Sequence, residues 1–139
     1  EIIQAHHPPY AAQSSISEPE DLYRKVMKAK EIKGPKYIEI LAPCPPGWRF
    51  SMDKTVDMGK LAIETGAWAL WEYENDELTF NGKSQLLLEE KIKPKPIEEW
   101  LKYQGRFKHL FVPKRNEEQL KRIQAHADET WKRYRKKYL

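Results

Sequence analysis

Tyr37-Ile38-Glu39-Ile40-Leu41-Ala42-Pro43-Cys44-Pro45-Pro46-Gly47-Trp48-Arg49-Phe50 decides how this chain is read. Tyr37 to Leu41 is a short apolar run rich in β-branched and aromatic residues, and it predicts a strand. Three prolines and a glycine follow at once, which predicts that neither helix nor regular strand pairing continues. The only cysteine of the 139 residues therefore sits on a stiff loop at a strand end. In open α/β sheets, ligand and cofactor sites gather at the carboxyl ends of strands.

Upstream, Tyr10-Ala11-Ala12-Gln13-Ser14-Ser15 is small enough for a tightly packed parallel strand. Ser17-Glu18-Pro19-Glu20 reads as a helix start, with Ser17 as cap, Glu20 three residues on, and Pro19 tolerated in the first turn. The helix is predicted to run to about Lys33, with Leu22, Val26 and Ala29 on its inner stripe and Lys25, Lys28 and Lys30 in water. Gly34-Pro35 stops it. A strand, a capped helix and a second strand form a βαβ unit, so the two strands should pair in parallel. The first residues, Glu1 to His6, read as the tail of a helix without a start signal.

Downstream, Ser51 or Asp53 is predicted to cap a helix over about 54–65, with Val56, Gly59, Lys60 and Ile63 inward and Gly66 as its C-terminal cap. Residues 69–74 and 77–80 alternate in period two around Asn75-Asp76, a hairpin signal. A strand is expected at Leu86–Leu88, an extended linker at 93–96, and a short helix from Pro96 to about Tyr103 with Ile97, Trp100 and Leu101 inward. Asn116 caps a long amphipathic helix to Leu139, on which Leu120, Ile123, Ala127, Trp131 and Tyr134 trace one face. The organisation expected is an α/β unit over 1–74 with the cysteine loop at 42–50, a hairpin, linker and short helix over 75–113, and a basic tail helix over 114–139.

A third of the residues are charged and the mean hydropathy is −0.85, which predicts a soluble protein. No run of 18 apolar residues exists to span a membrane. No basic segment followed by an apolar one opens the chain as a signal peptide would. One cysteine excludes an internal disulfide and suits a reducing, cytoplasmic compartment. The formal charge of +4 is unevenly spread: from Lys114 onward nine Lys/Arg face four acids, a net +5, whereas the preceding 113 residues hold 16 Lys/Arg and 17 acids. The tail therefore reads as a helix packing its Trp131/Tyr134 stripe on a partner subunit. A docking arm for an acidic partner and a nucleic-acid-binding segment are the competing readings, the last disfavoured by the interspersed acids.

Cys44 has several readings on the residues alone. A lone cysteine is commonly a small buried hydrophobe. A nucleophile would need a base and an orienting partner. Zinc would need four ligands, and His6, His7 and Cys44 are all the spacing offers. Adjacent residues such as His6 and His7 point in different directions, so they chelate one metal poorly and read as structural. Arg49 is the candidate for an anionic group beside the loop, since its planar guanidinium binds carboxylate or phosphate bidentately; a surface salt bridge is the alternative. Trp68, Trp71 and Tyr73 read as packing on the sheet or a subunit contact.

Three blocks carry a resemblance: Ala42 to Phe50; Glu64-Thr65-Gly66-Ala67-Trp68-Ala69-Leu70-Trp71-Glu72-Tyr73-Glu74; and Lys95-Pro96-Ile97-Glu98-Glu99-Trp100-Leu101-Lys102-Tyr103-Gln104-Gly105-Arg106-Phe107. In order and spacing they resemble the C-terminal part of the beta subunit of the 2-oxoacid:ferredoxin oxidoreductases, most closely the pyruvate type. The block Ala5-His6-His7-Pro8-Pro9-Tyr10-Ala11-Ala12 resembles the family's segment after the thiamine-binding motif, with the second His and the Pro-Pro departing from it. The resemblance covers residues 1 to about 110. It implies the C-terminal part of a thiamine-diphosphate-binding α/β domain with a mostly parallel sheet flanked by helices. It implies that Cys44 is the fourth thiolate of a 4Fe–4S cluster whose other three ligands lie in the N-terminal part of the same subunit. Thiamine diphosphate, Mg²⁺ and coenzyme A are then cofactors and co-substrate of the complex. The Gly-Asp-Gly motif that holds Mg²⁺ and the diphosphate does not occur here, so the chain is expected not to catalyse alone and to be a C-terminal piece of a longer subunit. The partners implied are that N-terminal part, alpha, gamma and delta-type subunits, and ferredoxin, with no nucleic acid and no membrane. The alternative is a non-catalytic domain that docks a partner through its basic C-terminal helix.

Overall fold

Tyr10–Ser15 (β1) and Lys36–Leu41 (β2) pair in parallel, with Tyr10 opposite Lys36 and Ser15 opposite Leu41, in a computed structural model that describes residues 2–139. Pro19–Glu31 (α1) crosses between them. The predicted βαβ unit is present, and small residues serve β1 as expected: Ala11 and Ala12 are fully buried. Pro45–Trp48 (α2) and Thr55–Glu64 (α3) follow β2, with a 3₁₀ turn at Met52–Lys54 between them. Trp71–Glu74 (β3) and Glu77–Phe80 (β4) form the predicted hairpin, with Asn75 and Asp76 both at positive φ (51° and 64°), the signature of a type I′ turn. The hairpin joins the same sheet. β3 pairs antiparallel with β1, Tyr10 opposite Glu74, so the order is β2-β1-β3-β4 and the sheet is mixed. Gly82–Leu88 (α4), Glu98–Leu101 (α5), a 3₁₀ segment at Gly105–Leu110 and Glu117–Tyr138 (α6) complete the chain. The α/β class stands. Among the described residues no helix is long and apolar enough to cross a membrane.

Several local expectations are corrected. Ser17 does not cap α1; its hydroxyl meets that of Ser15 at 2.9 Å, and Glu18 precedes the helix without a side-chain cap. The inward line of α1 is Asp21, Lys25 and Ala29 rather than Leu22, Val26 and Ala29. Lys25 is fully buried and Val26 is 43 % exposed, because Lys25 Nζ reaches the carbonyl of Gln13 (2.8 Å) and Asp21 (2.7 Å). On α3 the buried side is Met58, Gly59, Ala62 and Ile63, not Val56 and Lys60. Gly59 sets it, since a Cβ there would stand 2.8 Å from Ser17, so the helix can lie against the end of β1 only without one. Neither Ser51 nor Asp53 caps α3. Leu86–Leu88 is the last turn of α4 rather than a strand, with Leu87 and Leu88 buried. Three consecutive leucines carry no period that separates the two.

Asn116 does cap α6, accepting from the Gln119 amide at 3.0 Å. Its apolar stripe is covered within the chain. Trp131, Tyr134 and Tyr138 pack on Ala69, Phe80 and Leu87, and Leu120 and Ile123 pack on Ile97, Leu101 and Leu110. Within this chain, then, the Trp131/Tyr134 part of the stripe expected to meet a partner subunit lies on the hairpin and α4, and the Leu120/Ile123 part on the segment around α5.

A charged layer joins α1 to the sheet. The Glu72 side chain is 6 % exposed; it accepts from the Tyr10 hydroxyl (2.8 Å) and from Arg24 (2.7 Å), with Lys28 at 3.5 Å. Burial alone would push the Glu72 carboxyl up, but the bonds from Arg24 and Tyr10 outweigh it and hold the group below its ordinary 4.5. A depressed folded value means that this contribution is present above 4.5 and is lost as pH falls below it. Glu72→Ala should therefore cost roughly 1–3 kcal/mol at pH 7, mostly from leaving the buried Tyr10 hydroxyl without its acceptor, since Arg24 is half exposed and keeps Asp21. In urea denaturation at a series of pH values the gap between wild type and variant should close below pH 4.5. A gap unchanged at low pH would show that lost packing, not charge, sets it.

Candidate functional site

Leu41 ends β2, and Ala42-Pro43 carries the chain off the sheet to Cys44, which is extended (φ −97°, ψ 105°) and exposed. Within this chain the Cys44 side chain is therefore not part of the packed core. The prolines do not forbid helix as expected. Pro45 and Pro46 occupy the first two positions of α2, where a missing N–H costs nothing and the ring preorganises φ. The Trp48 amide donates to the Cys44 carbonyl at 2.8 Å, and Arg49 turns left-handed (φ 61°) to close the turn, its amide on the Pro45 carbonyl at 2.8 Å. No side-chain cap bond reaches Cys44 at the head of this turn. Gly47 leaves room for the sulfur: a Cβ there would lie 3.1 Å from Cys44 Sγ.

The loop is held from the far end of the chain. The Gly105 amide donates to the Arg49 carbonyl at 3.0 Å. A Cβ on Gly105 would stand 2.7 Å from Arg49 Cβ, so this strap requires glycine. The Trp48 ring meets Trp100 edge-on at 5.7 Å, and the Arg106 guanidinium lies over Trp48 at 4.1 Å. Arg106 Nε in turn donates to Gln104 Oε1 (2.8 Å), and Gln104, 1 % exposed, donates to the Trp100 carbonyl (2.9 Å). Burial pushes the Arg106 guanidinium down from its ordinary value. Sequence reasoning missed Trp48, Gly105 and Arg106 as parts of this site. The one available signal was that the blocks 42–50 and 95–107 both carry the family resemblance.

Arg49 is exposed at the edge of the loop, and among the described residues no carboxylate pairs with it. The surface salt bridge offered as its alternative role is not formed. His6 and His7 lie before the first residue of β1, whereas Cys44 lies beyond the last residue of β2. Because the strands are parallel, the histidines and the thiol occupy opposite ends of a sheet six residues long, roughly 20 Å apart. The structure therefore brings together neither a Cys–His pair nor a His6/His7/Cys44 zinc set, and no other group of three His, Cys, Asp or Glu side chains gathers for a metal among the described residues. His7 Nδ1 instead meets Asp76 Oδ1 at 2.9 Å, tying the N-terminal segment to the hairpin turn. Trp68 and Trp71 donate to the Ser14 carbonyl and to Gln13 Oε1, at 2.9 and 2.8 Å, and so pack on the sheet as expected.

What the arrangement offers chemically is one thiol presented outward from a braced turn. A lone ligand of this kind cannot hold a metal group by itself. It fits a group whose other ligands come from elsewhere: the sulfur is accessible, its neighbour lacks the Cβ that would crowd it, and the backbone behind it is fixed by two prolines and the Gly105 strap.

No family model matches the chain. It is 49 % identical over 127 residues to the pyruvate synthase subunit PorB of Methanosarcina barkeri, which covers 91 % of this chain. It is 43 % identical over 136 residues, 98 % of the chain, to the ketoisovalerate oxidoreductase subunit VorB of Pyrococcus furiosus. PorB of Methanocaldococcus jannaschii is 44 % identical over 131 residues, 94 % of the chain. The chain spans about 40 % of the length of each of these relatives.

Proposed function

Because this chain belongs, over the stretch it covers, to the beta-subunit family of the 2-oxoacid:ferredoxin oxidoreductases, we propose that it is the cluster-ligand and scaffold portion of such a subunit, of the pyruvate type. The complete enzyme would convert a 2-oxoacid and coenzyme A into acyl-CoA and carbon dioxide, and the two electrons released would pass singly to two ferredoxins. Thiamine diphosphate, with its Mg²⁺, supplies the carbanion chemistry when bound.

The role of this chain is narrower. Cys44 contributes one thiolate to a 4Fe–4S cluster, and a widely spaced fourth ligand is ordinary for such clusters. Pro43, Pro45 and Pro46 fix where that sulfur points, while Trp48, Trp100 and the Gly105 strap keep the turn from moving when the charge of the ligated group changes. Arg49, unpaired at the edge of the loop, is suited to an anionic group beside it. The remaining elements are scaffold. β2 is an edge strand, with Tyr37 and Ile40 exposed to 38 % and 44 %. Parallel strands ordinarily lie covered on both faces. This supports the rest of the subunit as the partner at that edge, with alpha, gamma and delta-type subunits and ferredoxin beyond it, in the cytoplasm. The alternative of docking through the tail helix is weakened because the apolar stripe of α6 is spent inside the chain.

The observation that carries the reading is identity of 43–49 % to PorB and VorB subunits along more than nine-tenths of the chain. It is tested on the complete enzyme containing this chain, purified without oxygen. Given coenzyme A and ferredoxin, pyruvate should reduce ferredoxin with a higher kcat/KM than ketoisovalerate. The reverse preference would assign the enzyme to the VorB kind, and no ferredoxin reduction with either acid would overturn the proposal.

A further inference from the structure

The two faces of the sheet are not covered alike. Tyr10, Ala12 and Ser14 of β1 point to the α1 side, where Tyr10 and Ala12 pack with Ala29 and the Ser14 hydroxyl donates to Asp21 at 2.6 Å. Ala11 and Gln13 therefore point to the other side. The register places Tyr37 and Glu39 of β2, Trp71 and Tyr73 of β3, and Leu78 and Phe80 of β4 on that side with them. α6 covers the hairpin half of this second face, with Tyr134 and Tyr138 against Phe80. The parallel half is different: Tyr37 and Glu39 stay exposed. Between them and α6 runs a groove of about 670 Å³, lined by Gln13 and Trp71 from the sheet, by Arg133 from α6, and by Ile2 and Ile3 from the segment that leads into β1.

We infer that this groove seats an amphipathic helix from the part of the same subunit outside residues 1–139, lying along β1 and β2 as α1 does on the opposite face. The inference rests on the reading of this chain as a portion of a longer beta subunit, and the chain spans about 40 % of the length of the relatives it matches. Three observations select that occupant. Parallel strands are ordinarily covered by helices on both faces, and the β1–β2 pair has such a cover on one face only. The Trp71 indole N–H is spent on Gln13 Oε1 at 2.8 Å, which leaves the sheet to present ring and aliphatic surface, the kind that one stripe of an amphipathic helix covers. The wall at Ile2 and Ile3 is the chain's own backbone, so a segment joined to it is held beside the groove at an effective concentration that a separate subunit does not reach. Arg133 and Glu39, on opposite rims, call for an acidic residue on the α6 side of that helix and a basic one on the β2 side.

The test uses the complete enzyme containing this chain. A benzophenone-bearing residue replaces Tyr37 in one variant and Glu39 in another, and the cross-links formed on illumination are mapped by mass spectrometry. Two strand residues span about 6.6 Å, which is about four residues of a helix lying along the strand. The two variants should therefore link to the same subunit, outside residues 1–139, at positions about four residues apart. Positions about two apart would mark an added strand. Links to a different subunit or to a small molecule would name another occupant, and links confined to residues 1–139 or to solvent would leave the groove open. Each of these results overturns the inference. Ferredoxin reduction by pyruvate and by ketoisovalerate, assayed on the same preparations, keeps the two readings apart. An active enzyme with links elsewhere overturns the inference alone, whereas an unmodified enzyme without that activity overturns the proposed function whatever the links show.

Discussion

Replacing Cys44 by alanine in the complete enzyme should abolish one 4Fe–4S signal or convert it to a three-iron form, and 2-oxoacid-dependent reduction of ferredoxin should fall by at least about 100-fold. Changes that only reorient a metal ligand already cost roughly 10–100-fold, so loss of a ligand sets that figure as a lower bound. Losing the cluster also removes a group that only the folded subunit binds, so the melting temperature of the complete enzyme should fall with it. The loss or conversion of the cluster signal is therefore the readout that identifies a ligand. A matching spectrum and undiminished turnover would leave Cys44 as a loop residue and reduce the chain to scaffold.

The second large effect concerns the tail helix. Trp131 is 4 % exposed, its ring lies 5.9 Å from Phe80 and 5.6 Å from Tyr134, and its indole N–H donates to the Gly66 carbonyl at 2.9 Å. Trp131→Ala should cost about 3–5 kcal/mol, as large-to-small changes at buried aromatics do. Gly66→Ala attacks the same contact from the other side. Gly66 has φ +73°, and a Cβ there would sit 2.3 Å from Trp131 Nε1. The left-handed backbone alone costs an alanine roughly 1–2 kcal/mol, and displacement of the indole adds to it, for a total of about 3 kcal/mol. Because both changes break one contact, the double variant should lose clearly less than the sum of the two. Urea denaturation of the full chain gives the three energies, and amide exchange along α6 localises them. A Gly66→Ala variant within about 1 kcal/mol of wild type would show that the indole moves aside at little cost.

These two sites differ in how far the sequence alone reveals them. Gly66 as a helix terminator, Asn116 as a cap and Asn75-Asp76 as the hairpin turn were each legible, because caps and turns are decided by neighbouring residues through backbone geometry and nearby hydrogen bonds. The parallel pairing of β1 with β2 followed from the same local signals plus the topology a single crossover helix allows. Cys44 at a strand end, on a proline-stiffened turn, was legible too.

The tertiary structure decided what is inside. Lys25 belongs to the buried side of α1 because a carbonyl of β1 and Asp21 await its ammonium; on the helix surface alone it is one more lysine. The stripe of α6 looked unpartnered until the hairpin, α4 and α5 came to rest beneath it. Gly105 and Arg106 brace a turn more than fifty residues away through a backbone bond and a stacked guanidinium, and no local pattern encodes such a meeting. The sequence by itself determined the stop at Gly66, the cap at Asn116, the turn at Asn75-Asp76 and the parallel pairing of β1 with β2, since those choices are settled within a few residues, whereas the caps read at Ser17 and Ser51 or Asp53 and the strand read at Leu86–Leu88 gave way to tertiary packing. Which polar side chains are buried, which faces meet and what holds the cysteine loop were decided only when distant segments came together, since burial belongs to the assembled surfaces and not to the residues that line them.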